Sequence, residues 1–189
     1  MSSTLFWRLL AILGAIALSS GLPGCSLSVT PEAVETPPSK ISTVAIGWIE
    51  AADPDRQRIA RRFRRALAAG LEDSEAFSRV MLPAPAQLPE DAVLVTGQFL
   101  EVNDGSEALR FLVGYGMGSP TLRARFEISD SAGRVLASFE EDARSFDGAG
   151  YAAHWNPVGT DELADGFAIE TAEAIARWSR GEELDLSIW

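Results

Sequence analysis

Cysteine and histidine are nearly absent from this 189-residue chain, which contains one of each. A single cysteine excludes a disulfide framework and any zinc or iron–sulfur site that is built from several thiolates. A single histidine excludes the common metal sites that use two or three imidazoles. We therefore expect no metal ion and no other cofactor.

Basic residues are also few, with 16 Lys and Arg against 27 Asp and Glu, which gives a formal net charge of -11. Proteins that bind nucleic acids in general need net positive charge to displace counterions from phosphates, so we expect no nucleic-acid partner. Hydrophobic residues make up 47% of the chain and charged residues 23%. That composition is globular and excludes wholesale disorder, and the length suits one domain of ordinary size.

The first 24 residues predict a secretory signal peptide. Arg8 precedes an unbroken apolar run from Leu9 to Leu18, and small residues follow that run. Ten helical residues span about 15 Å, which is half of the hydrocarbon core of a bilayer. The run is therefore too short for an ordinary transmembrane helix, whereas a cation, an apolar stretch and small residues are typical of a signal for secretion.

The signal ends in Leu22-Pro23-Gly24-Cys25, which resembles the bacterial lipobox. The resemblance implies that Cys25 becomes the first residue of the mature chain and carries a diacylglycerol and an N-acyl group such as palmitate. Two or more acyl chains give stable membrane anchoring. Ser26, rather than Asp, resembles the signal for sorting to the outer membrane. We expect a lipoprotein of the outer membrane that faces the periplasm; loss of Arg8 changes its net charge from -11 to -12.

The mature chain divides into two parts. Residues 25–40 contain Pro31, Pro37 and Pro38 among small and polar residues, which predicts a flexible tether. Residues 41–189 are expected to form a single domain. Its hydrophobic patterns predict two helices, at 53–71 and 162–179, and five strands, at 41–49, 77–82, 92–102, 122–129 and 135–140.

These elements follow the order β-α-β-β-β-β-α. Each helix has one apolar stripe, which needs the face of a sheet to cover it. The sequence therefore predicts an α+β, two-layer fold with a mixed five-stranded sheet and both helices on one face. The large apolar residues of the stripes should be buried, namely Phe63, Phe126, Phe167 and Trp178.

A glycine-rich segment runs from Arg110 through Gly114 and Gly116 to Gly118. It is not a dinucleotide-binding fingerprint, which needs G-x-G-x-x-G between a strand and a helix. Strand alternation would place the glycines on one side of the chain. Two hypotheses remain open: the glycines allow close packing or a bend in the sheet, or the segment contacts a partner or the membrane.

The region around this segment resembles a family of bacterial lipoproteins catalogued as a domain of unknown function, family 4410. The resemblance rests on Gly97 in a strand, the Asn103-Asp104-Gly105 turn, the R-x-x-x-G-x-G-x-G segment, and the turn from Asp130 to Gly133. It covers roughly residues 41–180, and its specific part is 95–136. It implies a fold and an envelope location but no activity.

Four arginines lie on one face of the first predicted helix: Arg58, Arg61, Arg62 and Arg65. On an acidic protein such a face could contact anionic lipid headgroups or an acidic partner. The alternative is a solvated face that is paired with acids such as Asp55 and Glu72.

His154 and Trp155 lie in a predicted loop. A lone histidine could serve as a general base in a hydrolase, but no nucleophile signature such as G-x-S-x-G accompanies it. Trp155 could stack on a sugar or a peptide, or it could fill the core. We expect a protein that is not an enzyme, acting as a binding or assembly module for an envelope protein or polymer. The alternatives are a subunit of a membrane-inserted or secretion-type oligomer and, with least support, a hydrolase that uses His154.

Overall fold

Six strands and two helices make up the computed structural model, which describes residues 25–38, 40–106, 118–145 and 159–182. A short 3₁₀ turn, Pro54–Arg56, leads into the first helix. The strands and helices are β1 Cys25–Val34, β2 Thr43–Ala51, α1 Gln57–Asp73, β3 Arg79–Met81, β4 Ala92–Asn103, β5 Thr121–Asp130, β6 Val135–Ser145 and α2 Thr160–Ser179.

The strands form one open sheet in the order β1-β6-β5-β4-β2-β3. β2 pairs in parallel with β3 and β4, whereas the other neighbours are antiparallel. The parallel pairing of β2 and β4 requires a crossover, and α1 lies within it. The predicted two-layer α+β fold with a mixed sheet is confirmed, with six strands instead of five.

The additional strand is β1, and it corrects the prediction of a tether over residues 25–40. Residues Cys25–Val34 pair antiparallel with β6, and Cys25 lies opposite Ser145. Val29 packs against the core, while Pro31 lies at a register irregularity of this edge strand. Proline is tolerated at edge positions and bulges because no ladder hydrogen bond needs its missing N–H. The prolines therefore do not prevent pairing.

Five phenylalanines fill the space between the sheet and the helices. Phe63 of α1 stacks on Phe126 of β5, with ring centroids 5.4 Å apart, and meets Phe167 of α2 at 5.3 Å. Phe99 and Phe139 extend the cluster along the sheet. The predicted burial of Phe63, Phe126 and Phe167 is confirmed, at 0%, 0% and 2% exposure.

Hydrogen bonds fix both ends of α2. Its first turn begins at Gly159, whose N–H donates to the Glu162 carboxylate at 3.1 Å. Trp178, buried as predicted, donates its indole N–H to the Glu35 carbonyl at 3.1 Å. The helix ends at Ser179, and Gly181 closes the turn that follows, with φ of +78° and its N–H donating to the Trp178 carbonyl.

Gly97 allows the closest approach in the aromatic core, and its replacement is a test of the packing. A Cβ at this position would lie 2.5 Å from Cδ1 of Phe126 and 3.0 Å from the Arg125 carbonyl oxygen. We expect Gly97→Ala to reduce the free energy of unfolding by about 1–3 kcal/mol, as overpacking does in cores, measured by denaturant titration.

Gly166→Ala is the matched control, because no atom lies within 4 Å of a Cβ at that helical position. Alanine there should raise stability by roughly 0.5–1 kcal/mol. Equal effects of the two substitutions would contradict the proposed packing of Phe126 on Gly97.

Candidate functional site

A groove of about 580 Å³ lies beside Trp48 on the sheet face opposite the helices. Leu94 and Thr96 of β4, the loop of residues 84–88, and Ser131 line it together with Trp48. Trp48 is 56% exposed, an unusual exposure for so large an aromatic side chain. All of the lining residues are uncharged in a chain whose net charge is -11. The groove therefore suits an uncharged surface or ligand.

A bulge in β2 turns Trp48 outward. Ile46 lies opposite Val95 and Ile49 opposite Gly97, so β2 contains one more residue than β4 over this step. Ile46 and Ile49 both face the core, and the two residues between them, Gly47 and Trp48, lie at the open face. Strict alternation of inward and outward residues across 41–49 allows for no extra residue in the strand. It therefore predicts neither the bulge nor the groove. A tryptophan next to glycine within a run of β-branched residues is the signal in the sequence.

Beside the groove, the open face carries a ladder of paired charges on β5, β6 and β1. Arg123 donates to the Glu140 carboxylate at 2.9 Å, and Arg125 bridges Glu140 and Glu32. The hydrogen bond from Arg123 holds the pKa of Glu140 below its ordinary value. These four charges neutralise one another, while the exposed Glu127 of β5 lies opposite Thr96 at the side of the groove.

The predicted basic face of α1 is divided by the packing of the helices. Arg58 donates to Asp161 of α2 at 2.6 Å. Arg62 forms a two-pronged contact with Asp165, at 2.8 and 2.6 Å. The hydrogen bond between Arg58 and Asp161 lowers the pKa of the Asp161 carboxyl and raises the pKa of the Arg58 guanidinium. The acids that pair with these arginines come from α2, not from Asp55 and Glu72 as the sequence suggested.

Arg61 and Arg65 lie on the exposed side of α1. Within the described ranges, neither arginine forms an ion pair. The structure thus separates the four predicted residues into two that join the helices and two that face solvent. A contact between Arg61 or Arg65 and a partner stays a prediction.

Glu141 is a carboxyl group enclosed between the sheet and α2. The residue is 0% exposed, and its Oε2 lies 2.6 Å from the Thr171 hydroxyl. Burial raises the pKa of Glu141 to about 8, and the nearby Glu170 carboxylate adds to the rise. Its place in the acidic run 140–142 is typical of a solvated strand end. The alternation of β6 instead directs it inward between Phe139 and Ala143.

The geometry around Thr171 is compatible with a protonated Glu141. The Thr171 hydroxyl also lies 2.8 Å from the Phe167 carbonyl, which can only accept a hydrogen bond. When the hydroxyl donates its single proton to Phe167, its oxygen can accept from the protonated acid. A neutral carboxylic acid is also the form that burial favours.

Gly105 and Gly118 lie next to each other, between the end of β4 and the start of β5. The Ser106 N–H donates to the Gly118 carbonyl at 2.8 Å, and both Gly105 and Gly118 have positive φ, at +75° and +81°. A Cβ on Gly105 would lie 2.0 Å from the Gly118 oxygen. Asn103 accepts from the Gly105 N–H at 2.8 Å and forms the predicted turn. Gly118 therefore has a conformational role at this turn.

Several predicted residues lie outside the described residues: the signal peptide 1–24, Arg110, Gly114, Gly116, His154 and Trp155. Their roles stay predictions. In the parts of the chain that the structure describes, no group of three or more His, Cys, Asp or Glu residues is arranged to hold a metal ion. Neither described helix is long and apolar enough to cross a membrane.

Residues 38–149 match the family model described as Domain of unknown function (DUF4410), and the chain belongs to this family. The match includes β2 to β6 and α1, and it therefore covers both the groove beside Trp48 and Glu141. No protein with a curated description matches the sequence.

Solved structures share the fold at low sequence identity. The chain is similar to the PelC dodecamer from Paraburkholderia phytofirmans, with 16% identity over 83% of this chain and 99% of that chain and a TM-score of 0.51. It is also similar to protein XCC0632 from Xanthomonas campestris, with 13% identity, 79% and 95% coverage and a TM-score of 0.50. A minor lipoprotein from Acinetobacter baumannii gives 14% identity, 69% and 91% coverage and a TM-score of only 0.36. At such identities the first two likenesses show the fold alone.

The enclosed Glu141 predicts a specific dependence of stability on pH. A carboxyl whose pKa rises on folding from about 4.5 to about 8 contributes stability that is fully present below pH 4.5. That contribution is lost as pH rises through 8, because the unfolded chain releases the proton first. We expect the native protein to lose stability between pH 5 and 8 by about 1 kcal/mol per pH unit more than Glu141→Gln, which retains a neutral donor to Thr171.

Thermal and denaturant unfolding of both proteins across this range checks the expectation. Acids with lowered pKa values, such as Asp130 and Glu140, are present in both proteins and cancel in the difference. Parallel curves for the two proteins would show that Glu141 is ionised in the folded state.

Proposed function

We propose that this protein is a cell-envelope lipoprotein, anchored in the outer membrane by acyl chains on Cys25 and facing the periplasm. One observation carries the proposal: the lipobox-like Leu22-Pro23-Gly24-Cys25 follows a cation and an apolar run of ten residues, Leu9 to Leu18. Cleavage before Cys25 would leave every residue of β1 in the mature chain.

We further propose that the protein is a non-enzymatic binding or assembly module, and that the groove beside Trp48 is its contact surface. The groove is uncharged and opens on the sheet face without helices. Arg123 and Arg125 of that face are paired with Glu140 and Glu32 and do not extend into the groove. An envelope protein or polymer with an uncharged, partly apolar surface fits these properties.

A second candidate is a subunit of an oligomer. The similar PelC structure is described as a dodecamer, which is a statement about that protein. The shared fold makes self-assembly a reasonable alternative to a different partner. The two candidates differ in what the groove contacts, a second copy of this chain or another molecule.

Lipidation can be tested directly with a labelled fatty acid. The native chain should incorporate the label and fractionate with membranes, because Cys25 provides the thiol that receives diacylglycerol. Cys25→Ser should leave a precursor or a protein without the label. Ser26→Ala is the matched control and should acquire the label normally. Labelling of the Cys25→Ser variant would contradict the assignment.

Site-specific photo-cross-linking in the envelope can test the groove. A photoreactive amino acid at Trp48 should give a discrete adduct, whereas one at Ile169 should not. The two positions are matched in exposure, at 56% and 57%, but Ile169 lies on α2 away from the groove. An adduct with the mass of two chains would favour the oligomer. Adducts of equal yield at both positions would contradict the groove as the contact surface.

A further inference from the structure

We infer that the mature protein stands with one end of its sheet against the membrane, in a fixed orientation. This inference rests on the proposed lipidation of Cys25. The anchor end of the sheet is defined by Cys25, Asn103, Thr121 and Ser145. The distal end is defined by Val34, Ala92, Asp130 and Val135. The anchor end would contact the lipid headgroups, and the distal end would point into the periplasm.

The strand register places four strand termini at the anchor end. Cys25, the first residue of β1, lies opposite Ser145, the last residue of β6. Thr121, at the start of β5, lies opposite Arg144 and also opposite Asn103, the last residue of β4. A lipid on Cys25 would therefore emerge beside the ends of three other strands.

The beginnings of both helices lie at the same end. Asp104, directly after β4, accepts from the hydroxyl of Thr160, the first residue of α2, at 2.6 Å. It also pairs with Arg56, which directly precedes α1, at 2.5 Å. Both layers of the domain thus reach the anchor end, so the described part of this end extends well beyond Cys25.

The described ion pairs at the anchor end carry no net charge. Arg56 pairs with Asp104, and Arg58 pairs with Asp161, so these four groups neutralise one another. Paired charges of this kind suit a zwitterionic surface such as phosphatidylethanolamine headgroups better than a strongly anionic one.

The orientation follows from the absence of slack between Cys25 and the sheet. A flexible tether of about 15 residues would let the domain move by about 20 Å and rotate freely. In β1, by contrast, Cys25 is itself paired with Ser145. Ten strand residues span about 33 Å, so the distal end would lie about 30 Å farther from the membrane than the anchor end.

Fluorescence quenching on the full lipidated protein tests this orientation. Cys25 is the only cysteine and would carry the lipid, so an introduced cysteine is the only free thiol. Arg144→Cys places a fluorophore at the anchor end, and Ala132→Cys places one in the turn at the distal end. In phosphatidylethanolamine vesicles with spin-labelled headgroups, we expect several-fold stronger quenching at position 144 than at 132.

Insertion of a flexible Gly/Ser segment between Ser26 and Leu27 is the control, since it keeps the lipobox but introduces slack. It should remove most of the difference between the two labels. A difference that survives the insertion would overturn direct attachment as the cause.

Mass spectrometry of each sample separates the two proposals. Acylated protein with equal quenching at both positions would overturn the orientation and leave the lipoprotein assignment intact. Protein without acyl chains on Cys25 would overturn the assignment and the orientation together.

Discussion

The stacking of Phe63 on Phe126 holds the two layers of this domain together. Phe63 brings α1 onto the sheet, and its contact with Phe167 brings α2 into the same cluster. The glycine at position 97 makes room for the Phe126 ring, because any side chain there would overlap it. The positions of both helices, and with them the shape of the open face and of the sheet ends, depend on this packing.

Glu141 lies between the same two layers, and the cost of burying a charge constrains its protonation. A buried carboxylate without a positive partner is costly, whereas a protonated acid that donates to Thr171 satisfies one hydrogen bond at lower cost. The arrangement joins β6 to α2 by a polar contact next to the aromatic cluster. Because the acid is enclosed, the described geometry gives it a structural role, and its protonation is linked to folding.

Local patterns predicted five of the six strands and both helices, since alternation and helical periodicity depend on neighbours in the chain. β1 could not be found in this way. Pro31 and its polar neighbours indicate a loop, and the partner strand lies more than a hundred residues away. The same reason explains the missed partners of Arg58 and Arg62, which come from α2. The outward turn of Trp48 depends on a bulge that only the pairing with β4 reveals.

The groove and the proposed anchor occupy different parts of the molecule. Leu94 lies two residues after Ala92, where β4 begins at the distal end, and Ser131 lies in the distal turn between β5 and β6. Direct attachment of the lipid to β1 would therefore hold the groove away from the headgroups and open toward the periplasm. A flexible tether would let the exposed Trp48 reach the membrane, where an amphipathic indole partitions readily. The pairing of β1 with β6 thus links the two proposals, because the same strand that orients the domain would keep its uncharged surface available to a partner.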